Sequence, residues 1–351
     1  MSARFRVLAT VIGIAALVGC AQGVPASPTT ATGQAGPASW TTVSSPNPPD
    51  SRNNQLYGVS CLNTDDCWAV GWSEHEQPMA VETLTESFTG GGWNIVPSPN
   101  PSPAPYTGPN GLFGVSCLAV SDCWAVGANA ESLALIEQYT GSEWTIAASP
   151  VGGGALQDVT CPSADDCWAV GADIQHYDGT GWAITASPAG VSLNSVACAS
   201  ADDCWAVGSA VEHYAGGSWE VVSSPAGEPL NGVACAGADA CWAVGSDIQH
   251  YNGTGWQTVA SPSAFELDGV TCVNADSCWA VGSSGAAAGV PSRAVVEQYV
   301  GSEWKTVISP ESSSDPQLQA VTCLNANECW GVGWFFASQE SLIEQSASAD
   351  P

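Results

Sequence analysis

Fourteen cysteines fall in seven pairs of one spacing: Cys61/Cys67, Cys117/Cys123, Cys161/Cys167, Cys198/Cys204, Cys235/Cys241, Cys272/Cys278 and Cys323/Cys329. Two thiols six positions apart suit a disulfide or one edge of a metal site. Zinc sites prefer closer cysteines with a second pair or a histidine nearby. The spacing therefore predicts seven disulfides, one per copy, each bracketing a turn, in an exported and oxidising setting. His176, His213 and His250 invite a catalytic or metal reading. They share one repeat column with Ser87, Gln138, Gln298 and Gln345, which marks a hydrogen-bonding position between strands. The column before it, Glu86, Glu137, Gln175, Glu212, Gln249, Glu297 and Glu344, reads as structural too. Asp65-Asp66, Asp165-Asp166 and Asp202-Asp203 read as solvated turn acids, with calcium as the alternative. No cofactor or metal site is expected.

A glycosidase needs only two carboxylates. Glu74, Glu76, Glu82 and Glu311 lie near variable segments, but no motif singles out a pair. There is no nucleophile elbow and no phosphate loop. Chemistry, if present, would be glycan processing.

The elements that carry these residues follow from the repeat. Six copies read Cys-Trp-Ala-Val-Gly and the last reads Cys-Trp-Gly-Val-Gly. Copies three to six begin at Cys161, Cys198, Cys235 and Cys272, 37 residues apart, a period typical of arrays and propellers. One copy contains four short apolar-alternating runs: Leu193–Cys198, Cys204–Gly208, Ala210–Tyr214 and Trp219–Ser223. Turn residues separate them and no helical period is present. Four strands, here a to d, make one antiparallel sheet. Seven sheets in a ring make an all-β, seven-bladed β-propeller. The d-strand signature, Trp followed by Ser-Pro, occurs at Trp40, Trp93, Trp144, Trp182, Trp219, Trp256 and Trp304. Its first copy precedes the first cysteine pair, and the last copy ends at Leu342–Gln345 without a d strand. The segment Trp40–Pro46 is thus expected to complete blade seven. Both tryptophan columns recur in every blade and read as packing.

The c–d turns read Tyr177-Asp178-Gly179-Thr180-Gly181-Trp182 and Tyr251-Asn252-Gly253-Thr254-Gly255-Trp256, with Asp-Gly and Asn-Gly supplying positive φ. Strand order and the turn-then-Trp placement resemble bacterial BNR, or Asp-box, propellers, from Trp40 to about Gln345. That family includes sialidases and photosystem II assembly-factor-like proteins. The pattern departs from an Asp box, which counts five positions from Asp to Trp where Asp178 to Trp182 counts four. The resemblance implies a sialidase, yet sialidase chemistry needs three arginines on the substrate carboxylate. Beyond the N-terminal segment only Arg52 and Arg293 remain, which argues against it.

Arg4 and Arg6 precede an apolar run, Val7 to Gly19, too short to span a bilayer as a permanent helix. Leu17-Val18-Gly19-Cys20 resembles a bacterial lipobox, with an ordinary secretory signal as the alternative. Cys20 is also the odd cysteine of fifteen. The expected order is a signal peptide over 1–19, a lipidated disordered tether over 20–39, the propeller over 40–346 and a tail over 347–351. The chain is expected on the outer face of the bacterial cytoplasmic membrane, as a monomer held only through Cys20. The formal net charge is −29, and removing Arg4 and Arg6 leaves three cations against 34 acids. Such a surface repels phosphate backbones, so no nucleic-acid partner is expected. The acidity reads as solubility.

Function in a repeat fold sits where the repeat breaks. Extra residues occur at 72–83, 100–112, 283–293 and 311–317, in b–c or d–a loops of blades one, six and seven. These loops emerge on one face, opposite the cysteine turns, and should converge on one sector. Trp72, Tyr106, Phe113, Trp334, Phe335 and Phe336 would line it, offering aromatic faces to a sugar ring or a peptide side chain. The reading is a non-catalytic binding or assembly module for an extracellular glycan or protein. A glycan-active hydrolase or lyase and a structural envelope protein are the alternatives.

Overall fold

The computed structural model describes residues 39–76, 79–101, 110–225, 229–285, 291–307, 309–310 and 312–347. The expected signal segment, Cys20, residues 20–38, Tyr106 and Glu311 lie outside the described residues. Each cysteine copy forms one four-stranded antiparallel sheet. Blade four is the minimal case: Leu193–Ser200, Asp203–Gly208, Val211–Ala215 and Ser218–Val222. In blade seven, Pro316–Asn325, Glu328–Phe335 and Glu340–Ala347 are joined on the outside by Ser39–Val43 from the other chain end. That strand runs antiparallel, Trp40 opposite Ser346 and Thr42 opposite Glu344. Each a strand packs on the next, and Ser51–Asn63 of blade one meets Pro316–Asn325 of blade seven, closing the ring.

The core lies between blades. Each b-strand tryptophan meets the d-strand tryptophan of the following blade edge to face. Trp68 and Trp144 have ring centroids 5.1 Å apart at 88°, and Trp205 and Trp256 5.1 Å at 85°. The last two joints keep the pattern: Trp279 meets Trp40 at 5.6 Å, and Trp330 meets Trp93 at 5.4 Å. Trp40 therefore does at the clasp what a d-strand tryptophan does elsewhere. Edge-to-face aromatic pairs add about 0.5–1.5 kcal/mol beyond area burial.

The seven cysteine pairs are disulfides across the a–b turn: Cys61–Cys67, Cys117–Cys123, Cys161–Cys167, Cys198–Cys204, Cys235–Cys241, Cys272–Cys278 and Cys323–Cys329. Their placement differs from a pair of thiols held at an exposed turn. Cys67, Cys123, Cys167, Cys204, Cys241, Cys278 and Cys329 are each at most 1% exposed. Strand alternation is the physical reason. In Cys-Trp-Ala, the cysteine and alanine point into one interblade core and the tryptophan into the next. Cys67 thus shares a core with Ala69, Leu56 and Trp93, and Cys123 one with Ala125, Leu112 and Trp144. Cys167, Cys204, Cys241 and Cys278 repeat the arrangement beside Trp182, Trp219, Trp256 and Trp304. Cys329 does so beside Trp40 of the clasp. These sulfurs are core packing as well as staples, and offer no surface to a ligand.

The glycine that closes Cys-Trp-Ala-Val-Gly is required by close approach. A Cβ on Gly71 would lie 1.8 Å from the Gln55 carbonyl oxygen, and one on Gly333 1.8 Å from that of Gln317. The c–d turns of blades three and five take the expected positive φ at the glycine, not at the Asp or Asn before it. In these two turns Gly179 and Gly253 hold φ at 84° and 82°. Asp178 instead caps a four-residue loop, its Oδ1 accepting from Thr180 N at 2.9 Å and Gly181 N at 3.2 Å.

The histidine column makes the expected bonds between strands and adds a stacking contact. His213 stacks on Trp205 at 4.0 Å and His176 on Trp168 at 4.1 Å, while their Nε2 atoms lie 2.7 Å from Asp203 and Asp166 at the start of the neighbouring b strands. The column thus bonds strand c to strand b, and its histidine rings also shield the indole face.

The glutamate column is fully buried, and the Ser of Ser-Pro explains it. Ser187 Oγ donates to Glu212 at 2.7 Å, Ser261 to Glu297 at 2.8 Å, and Ser309 to Glu344 at 2.9 Å. At the clasp, Ser45 donates to Glu86 at 3.0 Å. Among the described residues, five d-strand serines, counting Ser224 on Gln249, thus reach into the next blade. Glu137 breaks the pattern: neither carboxyl oxygen has a hydrogen-bond partner among the described residues.

Burial pushes Glu86 and Glu137 up to about 8 and Glu344 to about 7. Each keeps its proton in the fold where the unfolded chain has released it. Stability from these groups is present near pH 4.5 and falls as pH rises, by about 1.4 kcal/mol per pH unit per group, toward about 8 for Glu86 and Glu137 and about 7 for Glu344. His250 opposes this weakly below pH 6.5, since burial lowers its pKa. The expected result is a higher melting temperature at pH 5 than at pH 8, which calorimetry across that range will read. A Glu86→Gln, Glu137→Gln, Glu344→Gln variant should flatten the profile.

Candidate ligand-binding face

Blade one departs from the minimal pattern through length. Its strands run Ser51–Asn63, Asp66–Glu76 and Met79–Phe88, and the b–c pair stays in register out to Glu76 opposite Met79. The segment expected as a loop is therefore an extended hairpin. Arg52 pairs with Glu74 and approaches Glu76 at 3.9 Å, and His75 lies 4.0 Å from Glu82. Glu74, Glu76 and Glu82 are thus engaged in side-chain pairs.

The variable segments are stitched into one rim. Ser292 N of blade six donates to Asp315 Oδ1 at 2.7 Å. Phe336 N of blade seven donates to the Asp315 carbonyl at 3.1 Å. Asn54 N of blade one bonds the Gln339 carbonyl at 3.0 Å, and Asn110 N of blade two bonds that of Val81 at 3.2 Å. Asp315 and Gln339 hold φ at 53° and 60°, a left-handed backbone that non-glycine residues seldom adopt and that the rim contacts hold in place.

Tyr57 is the hub of this rim. Its ring lies 5.3 Å from Phe113 at 72° and 5.2 Å from Trp334 at 34°. Its phenol donates to Gln55 Oε1 at 2.7 Å. Burial pushes that phenol up, and a side-chain hydrogen bond with Trp72 pulls it back. Trp72 and Phe113 also close over Gly111. A Cβ there would meet the Phe113 ring at 3.2 Å and the Trp72 ring at 3.3 Å. The structure thus brings together three of the expected aromatics, Trp72, Phe113 and Trp334, around a fourth that sequence reasoning missed. Phe336 is 66% exposed beyond the end of its strand. Phe335 is corrected: it packs against the core of Trp40, Trp279 and Leu318 between blades six and seven. Adjacent strand residues face opposite ways, so Trp334 and Phe335 cannot share one face.

Below the rim lies the central channel, a cavity of about 370 Å³. A β-bulge follows the invariant leucine of every a strand, as between Leu56 and Gly58 or Leu193 and Ser195. The bulged residue is Tyr57, Phe113, Gln157, Asn194, Asn231, Asp268 or Gln319, and all seven line the cavity. Bulges re-aim a side chain that regular pairing would bury. In sequence the signal is a column of changing residues beside an invariant leucine.

Two carboxylates face the channel. Asp158 accepts from Ser195 Oγ at 2.8 Å, Val196 N at 3.0 Å and its neighbour Val159 N at 2.8 Å, while burial still raises it to about 6. Burial, with Glu266 nearby, raises Asp268 to about 7. No cationic side chain lines the cavity among the described residues.

No protein-family model and no curated protein matches the chain. Solved structures do. YCF48 bound to D1 peptide superposes with a TM-score of 0.63 at 12% identity, covering 88% of this chain and 96% of that one. YCF48 from Cyanidioschyzon merolae gives 0.60 at 15%, covering 89% and 99%. The extracellular domain of a putative hybrid two-component system, BT3049 from B. thetaiotaomicron, gives 0.58 at 11%, covering 85% of this chain and 40% of that one. At these identities the likeness is one of fold. The chain is a seven-bladed, disulfide-stapled β-propeller clasped by its own N-terminal strand, similar in fold to YCF48.

Proposed function

We propose that the chain is a non-catalytic binding module, exported and tethered through lipid on Cys20, that takes an extracellular glycan or protein on the rim of blades one, two, six and seven. The observation that carries the reading is the convergence of the irregular segments around Tyr57, Trp72, Phe113 and Trp334. Minimal blades need no such rim. A half-exposed aromatic cluster inside a polar border is the composition of a recognition surface. YCF48, a propeller of the same fold, has been solved with a peptide, which is consistent with ligand capture on such a scaffold.

The test is a combined glycan and peptide array probed with the soluble propeller. Trp72→Ala and Trp334→Ala are expected to weaken the bound ligand at least tenfold at an unchanged melting temperature. Full binding by both variants would move the site elsewhere. Cys20→Ser is expected to abolish incorporation of radiolabelled palmitate and release the protein from membranes. Retained labelling would end the tether reading.

A further inference from the structure

The bulge ring divides into two arcs of different chemistry. Blades one and two contribute Tyr57 and Phe113, and Trp334 stands beside them. The other arc is amide-rich, with Gln157, Asn194, Asn231 and Gln319. Asn194 Nδ2 donates to the Leu230 carbonyl at 2.9 Å, and Asn231 Nδ2 to that of Leu267 at 3.1 Å. Each amide is tied to the next blade through its nitrogen, which leaves its oxygen for a ligand. Gln157 and Gln319 make no side-chain hydrogen bond among the described residues, so each keeps both donor and acceptor capacity. Gln157 and Gln319, which hold no neighbouring blade through their side chains, need another reason to be there.

We propose that the channel mouth is a saccharide site, taking the end of a neutral sugar chain with its ring against Tyr57 and Phe113 and its hydroxyls on the amide arc. This rests on the binding-module reading and adds the ligand class. A hydroxyl both donates and accepts, which matches a wall that offers amide oxygens and amide N–H groups together. An anionic ligand meets no cation in the lining and a chain of net charge −29. A cationic ligand would need carboxylates free to pair with it. Asp158 is already capped by three donors, which leaves Asp268 as the other acid in the lining. The cavity, at about 370 Å³, falls in the range of small-ligand sites. It accepts a chain end, with the rest of the ligand passing over the aromatic rim.

The test uses the full propeller on an array of neutral, sialylated and sulfated oligosaccharides, with oligolysine as the cationic probe. Neutral glycans are expected to bind. Gln157→Leu with Gln319→Leu should weaken them by about tenfold or more, the scale of one lost hydrogen bond to a ligand. Calorimetry checks that this variant melts like the wild type. Preference for sialylated or sulfated glycans or for oligolysine, neutral binding untouched by the glutamine pair, or no neutral glycan bound would each overturn the proposal. Binding lost in Trp334→Ala but kept in the glutamine pair, or binding of peptides alone, would reject the channel site and leave the rim module standing.

Discussion

A chain beginning at Asn47 is expected to lose its monomeric fold. It lacks the strand Ser39–Val43 and leaves Ile343–Ala347 as an unpaired edge. Unpaired edges template association with other chains. It also removes Trp40, 3% exposed and packed on Trp279, and the Ser45 bond to Glu86. The second arm of the clasp goes only in part: Asn47 Oδ1 accepts from Ser341 N at 3.1 Å, but the strand before it no longer holds that residue in place. Trp40→Ala alone should cost about 3–5 kcal/mol, as for other buried tryptophans. For a domain of this size that is a fall of about 10 °C in melting temperature. Size-exclusion chromatography of the truncated chain should show oligomers or aggregate. A monomer that melts like the full chain would show that the ring closes without its N-terminal strand.

Reducing the disulfides is expected to unfold the propeller. Closing a loop of seven residues restricts the unfolded chain by about 2.4 kcal/mol in the chain-entropy estimate. Seven such closures reach on the order of 15 kcal/mol as an upper limit, which equals the whole stability of a typical domain. The strands being stapled are short, so little else compensates. Because the b-strand sulfurs, from Cys67 to Cys329, are buried, reductant alone should act slowly and denaturant should accelerate it. Far-UV circular dichroism after reduction under mild denaturant, followed by dialysis, should show a chain that does not regain its sheet signal. Cys198→Ser with Cys204→Ser removes one staple and should cost roughly 2 kcal/mol. Full refolding of the reduced, alkylated chain would mean that packing between blades suffices.

Repetition explains what can be read from residues alone. A feature written seven times averages out local noise, so the Cys-Trp runs, the four strands of blade four and the displaced Trp40 copy are all visible. The rim insertions are visible as breaks in that rhythm. Features that depend on contacts between copies are hidden. The Ser187–Glu212 bond joins residues 25 apart in different blades, and no period links them. Burial of Cys67 and its six counterparts is hidden in the same way, because the neighbouring blade supplies the cover. The bulge at Tyr57 adds one residue to one strand, which shifts the in–out alternation that pattern reading relies on. That shift conceals Tyr57. Phe335 is misread for a simpler reason: three aromatics in a row look like one patch until strand alternation splits them. The extended hairpin of blade one is hidden because its polar tip, Glu74-His75-Glu76, resembles a loop in composition.

Tyr57→Ala provides the most direct measurement. Its ring touches Phe113 and Trp334, its phenol bonds Gln55, and it lines the channel. Titration of the strongest array ligand into wild type and variant, followed calorimetrically, should show affinity falling by more than about tenfold in the variant. Equal affinity for the two proteins, at comparable melting temperatures, would contradict the assignment of this face as the binding surface.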